Sequence, residues 1–153
     1  MRHLALDVGD RRIGVAVSDS SEVVVTPLTV IKRGSKVDDF ARIACLMREN
    51  ESSSLVVGQP LNDDGTPSLQ AERIQRYTTA LTEALRSDGI EFSLIFWDET
   101  LSSQRAQELM IAAGRTAKSR RERIDAVAAA VFLEDYLEAR KRISHEGSEE
   151  EAA

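Results

Sequence analysis

Only one of the 153 residues is a cysteine, Cys45. A disulfide within the chain is therefore impossible. A cysteine-based zinc site would also run short of ligands, because the only histidines are His3 and His145. This scarcity points to a reducing cytoplasm. Cys45 sits in a helical apolar pattern and is expected in the core. No apolar run approaches the roughly 20 residues of a membrane span, so no membrane partner is expected. The start of the chain, Met1 to Asp7, puts charge inside any would-be signal core, which argues against secretion. A positive excess is missing too: 20 Lys and Arg face 26 acids, for a formal charge of −6. That argues against a generic coat for polyanions and leaves room for a local nucleic-acid site.

What is present is the composition of an ordinary soluble domain, 42% hydrophobic and 30% charged, which excludes a wholly disordered or fibrous chain. The length suits one domain with a real core, expected over residues 1–143. Glu146, Glu149, Glu150 and Glu151 crowd residues 144–153, which read as an acidic, disordered tail. Setting those four aside leaves 22 acids against 20 bases, so the folded part is nearly neutral.

The first third reads as strands. Leu4, Leu6 and Val8 alternate along one run, and Ile13, Val15 and Val17 along the next. Gly9 to Arg12 forms a turn between them. Glu22 to Ile31 is a third β-rich run, with Pro27 marking an edge. Short connections make these an antiparallel meander. Helix and strand then alternate. Ser35 to Asn50 is helical through Val37, Phe40, Ala41, Ala44 and Met47, and Leu55 to Gly58 is a buried strand. Thr66-Pro67 reads as an N-cap and first helical residue, and Gly89 stops the helix that follows. Phe92 to Trp97 is a strand, Ser103 to Ala113 a short helix, and Ser119 to about Arg142 the last helix. Order βββ-α-β-α-β-α-α predicts an α/β fold, a mixed five-stranded sheet with helices on both faces.

Three acidic positions stand out. Asp7 lies within an apolar strand, on the face of Ala5, where an unpaired carboxylate is costly. Asp98 and Glu99 finish another apolar strand and should point to opposite faces. Asp125 follows a capping-box pattern, Ser119 to Glu122, too far along to serve as a cap itself. It shares a helical face with Ala128, Ala129 and Phe132, which puts it at a helix–sheet seam; an ion pair with Arg121 is the structural alternative. Such acids meeting at one sheet end would raise each other's pKa values. Divalent cations would remove that cost, and all-oxygen ligands suit Mg²⁺ or Mn²⁺. Two such ions stabilise both oxygens of an in-line attack on a phosphodiester. Gly9 and Gly14 leave space for a phosphate to approach. Arg11 and Arg12, with Lys118, Arg120, Arg121 and Arg123, are the bases that would hold the polyanion.

With these motifs assembled, the chain resembles the YqgF/RuvX family, of RNase H-like fold and related to the RuvC Holliday-junction resolvases. The resemblance covers about residues 3 to 140. It rests on Leu6-Asp7-Val8-Gly9 with Arg12 to Asp19, Val57 to Asn62 with Asp64-Gly65, Trp97-Asp98-Glu99, and Ile124 to Ala129, in that order. It implies a metal-dependent nuclease, linked in bacteria to maturation of the 5′ end of 16S rRNA. It implies Asp7, Glu99 and Asp125 as the acidic triad, Asp98 as the reserve ligand and Asn62 as a substrate contact. Thr100 stands where the family usually has Arg, Gln59 where Leu is frequent, and Val8 where an aromatic is common. A four-way DNA junction is the alternative substrate, and would call for a homodimer rather than a monomer. A ribosomal subunit is a further expected partner in the RNA case. Two other readings are a non-catalytic nucleic-acid binding module and an ATP-binding protein, the latter because Asp7-x-Gly9 also resembles the first phosphate loop of the actin and Hsp70 superfamily.

Overall fold

The computed structural model describes residues 1–100 and 102–152, with the side chains of 103 and 145–152 outside the description. The meander expected at the N-terminus is β1 (His3–Val8), β2 (Arg12–Ser18) and β3 (Val25–Lys32). Then follow α1 (Lys36–Glu49), β4 (Ser54–Gln59), α2 (Leu69–Ser87), β5 (Ser93–Asp98), α3 (Ser102–Ala112) and α4 (Ala117–Ala152). The sheet order is β3-β2-β1-β4-β5. β1 pairs antiparallel with β2, and β2 with β3; β1 and β5 flank β4 in parallel. Pro27 lies on the outer strand β3, opposite Ala16, where a bulge shifts the register. An edge is where a missing N–H does least harm.

Alternation along the strands sorts the two faces. Leu4, Leu6, Ile13, Val15, Leu55 and Val57 pack against α1 and α2 through residues such as Ile43, Met47, Ile74 and Leu81. The other face is built from smaller residues. Ala5, Ala16 and Val56 meet Ala129, Ala130, Phe132 and Leu133 of α4. Small side chains on both partners let α4 lie close to the sheet. The far half of α4 is fastened by Arg140, whose Nη1 donates to Glu22 Oε1 at 2.8 Å; Glu22 also accepts from buried His3 Nε2 at 2.9 Å.

Several local expectations give way to tertiary structure. β3 starts at Val25 rather than Glu22, because the Asp19 carboxylate collects the N–H groups of Val23 and Val24 and the Ser21 hydroxyl into a loop. α2 is capped by Ser68, which accepts from Ala71 N at 3.1 Å, not by Thr66; Thr66 is held in a turn by Asp64 and Asn62. The capping box at Ser119 does not form either. Thr116 Oγ1 accepts from Ser119 N at 3.2 Å, so α4 begins at Ala117. Cys45 is exposed rather than buried, as are Val37 and Ala41. The inward stripe of α1 runs instead through Ile43, Ala44, Leu46 and Met47. α4 continues as helix to Ala152, past Arg142 and through the segment read as an acidic tail; no proline interrupts it there. Among the described residues, no helix is long and apolar enough to cross a membrane.

Candidate active site

The site lies where β1, β4 and β5 end, all running the same way. Asp7 is the next-to-last residue of β1 and points to the α4 face with Ala5. Its partner across β2 is Gly14. On the other side, Gly58 follows Val57, the partner of Leu6. Glycines thus stand in both neighbouring strands, and each is required by a close approach. A Cβ on Gly14 would lie 2.0 Å from the Asp125 carbonyl oxygen and 2.7 Å from Ala126 N. A Cβ on Gly58 would lie 2.7 Å from Glu99 Oε2 and 2.7 Å from the Phe132 ring. The first glycine lets the α4 backbone reach the sheet beside Asp7. The second clears space for the Glu99 carboxylate and for the ring beneath it. Gly14 therefore serves the approach of a helix, not that of a ligand.

Glu99 is drawn toward Asp7 by its own backbone. Its N–H donates to Gln59 O at 3.1 Å, extending the β4–β5 ladder by one residue. Asp98 points the other way and is exposed; its Oδ1 accepts from Thr100 N at 3.0 Å and from the Thr100 hydroxyl. The expected opposition of Asp98 and Glu99 is what the strand produces. Asp98 is thereby a turn-forming residue, and the reserve ligand is not brought into the cleft. Thr100 both closes this turn and lines the cleft.

A cleft of about 430 Å³ is lined by Asp7, Gly9, Pro60, Glu99, Thr100 and Asp125, among others. Asp7 and Glu99 are hydrogen-bonded to each other. Burial, followed by the Glu99 charge, that hydrogen bond and the Asp125 charge, holds the Asp7 carboxyl well above the usual range. Burial also raises Glu99, with Asp98 adding to it and the hydrogen bond from Asp7 opposing. Two half-buried carboxyls side by side disfavour each other's ionisation. Burial raises Asp125 as well, against the pull of Arg12, whose Nε lies 3.1 Å from Asp125 Oδ2. Arg12, not Arg121, is the partner of Asp125. No sequence spacing signals that pair, since the two residues are 113 positions apart.

The donor set is all carboxylate oxygen, which fits Mg²⁺ or Mn²⁺ and not zinc or copper. Among the described residues no three His, Cys, Asp or Glu side chains already converge on one point. Asp7 and Glu99 meet, whereas Asp125 lines the same cleft and is held by Arg12. Mutually repelling half-buried acids are nonetheless the arrangement that a hard cation relieves.

The expected substrate contacts are placed unevenly. Gly9 lines the cleft, its N–H donating to Arg12 O at 2.8 Å across the β1–β2 turn. Arg11 and Arg12 are exposed on that turn. Asn62 is used locally, its side-chain amide donating to Thr66 Oγ1 at 3.0 Å; Pro60 and Leu61 line the cleft instead. Lys118 and Arg121 are exposed at the start of α4, while Arg120 and Arg123 are half-buried there. Arg120 donates to Arg115 O at 2.8 Å. None of these four borders the cleft.

A mixed sheet of order β3-β2-β1-β4-β5 with helices on both faces defines the class: an RNase H-like fold. Solved structures agree on the fold. The chain superimposes on Thermus thermophilus RuvC in complex with a Holliday junction substrate with a TM-score of 0.58, at 17% identity, over 92% of this chain and 96% of that one. Fowlpox virus resolvase with its junction DNA gives 0.54 at 10% identity, over 91% and 98%. The chain belongs to the RuvX family, whose sequence profile, described as a Holliday junction resolvase, matches residues 1–139. A relative from Thermoanaerobacter pseudethanolicus, named "Putative pre-16S rRNA nuclease", is 39% identical over 92% of this chain and 99% of its own length. One of the same name from Chloroflexus aurantiacus is 41% identical over 90% and 87%. Membership in this family makes the chain a nuclease.

Proposed function

We propose that the chain is the nuclease that trims the 5′ end of precursor 16S rRNA, with Asp7, Glu99 and Asp125 holding one or two Mg²⁺ or Mn²⁺ ions. The observation that carries the reading is the contact of two half-buried carboxyls, Asp7 and Glu99, in a cleft also lined by Asp125. A module that only bound phosphate would gain nothing from acids in such a place, because they repel a polyanion. When bound, the ions supply a nucleophile from water and neutralise charge building on the phosphate.

The chain's own residues do the rest. A bound cation would favour the ionised forms of Asp7 and Glu99, whose pKa values burial otherwise raises. Arg12 keeps Asp125 at the cleft and is exposed enough to turn to the substrate when Asp125 is otherwise engaged. Gly9, without a side chain, leaves the strand a path along the cleft wall. The bases at the start of α4 lie outside the cleft and meet more distant phosphates, so their contribution weakens with salt. The reading places the protein in the cytoplasm with the maturing small ribosomal subunit.

The second reading is a four-way DNA junction, favoured by the description of the family's profile. It requires two sites and hence a homodimer, where the RNA reading needs only a monomer. The test uses the purified full chain with Mn²⁺, offered precursor 16S rRNA fragments and a mobile junction at matched salt. Cleavage at the 5′ end, lost in Asp7→Asn, is the expected result. Symmetrical cutting of the junction alone would overturn the RNA assignment.

A further inference from the structure

A second cavity, of about 240 Å³, lies beside the cleft, between the β1–β2 turn and the first turns of α2. Gly9 and Gln70 border both spaces. The rest of its polar lining is Asp10, Arg33, Arg73 and Tyr77, two cations against one anion.

Arg33 is fixed in place without being neutralised. Its Nη1 donates to Gly9 O at 2.8 Å, and its guanidinium carbon sits 4.5 Å from the centre of the Tyr77 ring. Its backbone N–H donates to Arg11 O at 2.9 Å. Neither Arg33 nor Arg73 has a carboxylate partner among the described residues. Bracing the turn uses one of the five guanidinium N–H groups of Arg33, which leaves most of the fork unspent. The Tyr77 hydroxyl is buried and also lacks a partner among the described residues. Burial, with Asp39 adding to it, pushes that hydroxyl up to about 12, so it remains a neutral donor.

We propose that this cavity is a phosphate subsite, in which Arg33, Arg73 and Gln70 hold a backbone phosphate of the nucleic-acid strand next to the bond cut at Asp7 and Glu99. The identity of the strand rests on the nuclease reading above. Two guanidinium forks select an anion, and phosphate oxygens match their planar spacing. The shared wall makes that anion part of the same strand: Gly9 and Gln70 border both the cleft and the cavity that Arg33 and Arg73 line. Neither residue stands out in the sequence, because Arg33 follows a strand and Arg73 lies on a polar helical face.

The test measures anisotropy of a fluorescein-labelled RNA spanning the 5′ end of precursor 16S rRNA, in magnesium buffer. The full chain carries Asp7→Asn throughout, so nothing is cut. Arg73→Gln is expected to weaken binding about 5- to 10-fold and to flatten the slope of log Kd against log salt by about 0.7–0.9, the signature of one lost phosphate contact. Asp10→Asn, which removes the only acid of the cavity lining, is expected to tighten binding several-fold. Arg86→Gln, the same charge change near the other end of α2, is expected to stay within twofold. Equal affinity and slope for Arg73→Gln and Arg86→Gln would overturn the subsite, as would weaker binding by Asp10→Asn. If that happens while the unsubstituted chain cuts the RNA, the nuclease reading stands alone. If the charge pattern appears but the unsubstituted chain does not cut this RNA, the subsite holds and the RNA-cleavage reading falls. An RNA that is not bound at all overturns both.

Discussion

Replacing Gly14 by alanine should detach the last helix from the sheet at the active site. The new Cβ would sit 2.0 Å from the Asp125 carbonyl oxygen and 2.1 Å from its carbon. Ordinary contact begins near 3.4 Å, so a relief of about 1.4 Å is needed. β2 cannot supply it, being paired on both sides by β1 and β3. The atoms in the way are helical backbone, which has no rotamer to change. α4 must therefore lift, separating Ala129 and Phe132 from Ala5, Ala16 and Val56. Overpacking costs about 1–3 kcal/mol, and rigid backbone on both sides puts this case near 3. For a chain of this size that lowers Tm by roughly 6–12 °C. Because Asp125 is carried on the lifted turn, cleavage should also fall about 100-fold at a temperature where the variant is folded. Differential scanning calorimetry and an RNA cleavage assay read the two effects. Gly34→Ala is the control, since a Cβ there meets nothing within 4 Å. A Gly14→Ala protein with the Tm and activity of the Gly34→Ala control would refute the reasoning. A lower Tm with full activity would refute its second half, the coupling of helix seating to the position of Asp125.

Other expectations follow from the same geometry. Asp7→Asn should abolish cleavage while raising Tm. The folded Asp7 carboxyl titrates well above its unfolded value, so its contribution favours folding at low pH and is lost as pH rises through the folded pKa. The gain in Tm should accordingly be larger at pH 8 than at pH 5; an equal gain at both would contradict the buried-pair account. Gly58→Ala should cost about 1–2 kcal/mol, less than Gly14→Ala, because the groups it meets are the side chains of Glu99 and Phe132, which can shift; denaturant titration gives the value, and cleavage should fall as Glu99 is displaced. His3 is fully buried and its pKa lies below the usual 6.5, chiefly through burial, although Glu22 pulls it up. The unfolded chain then binds the extra proton first, so stability should decline as pH falls below about 6.5. His3→Gln should flatten that decline in urea titrations between pH 7 and pH 5, and an unchanged slope would show that His3 is not its source. Chelation by EDTA should stop cleavage, and Mn²⁺ should restore it; cleavage that persists in EDTA would remove the metal from the proposal.

What could be read without a structure follows the range of the interactions involved. Strand alternation, the helical periods and the absence of cysteine chemistry are local, and they led to the five-stranded mixed sheet and to candidate acids in β1, at the end of β5 and within the last helix. The misplaced features were local choices settled by partners elsewhere. Ser68 rather than Thr66 caps α2 because the 60–67 segment folds into its own turn. Cys45 faces solvent because the phase of α1 is set by the larger side chains of Ile43, Leu46 and Met47.

The sequence by itself singled out the candidates: carboxylates set in or closing apolar runs at Asp7, Asp98, Glu99 and Asp125, of which the resemblance favoured Glu99 over Asp98. Tertiary structure alone decided their relations. It joined Asp7 to Glu99, set Arg12 on Asp125 and turned Asp98 away. It also gave Gly14 and Gly58 their purpose, as the gaps through which α4 and Glu99 reach the end of β1. A side chain's type is written in the chain, but a distance between elements far apart in sequence is fixed only when their backbones pack.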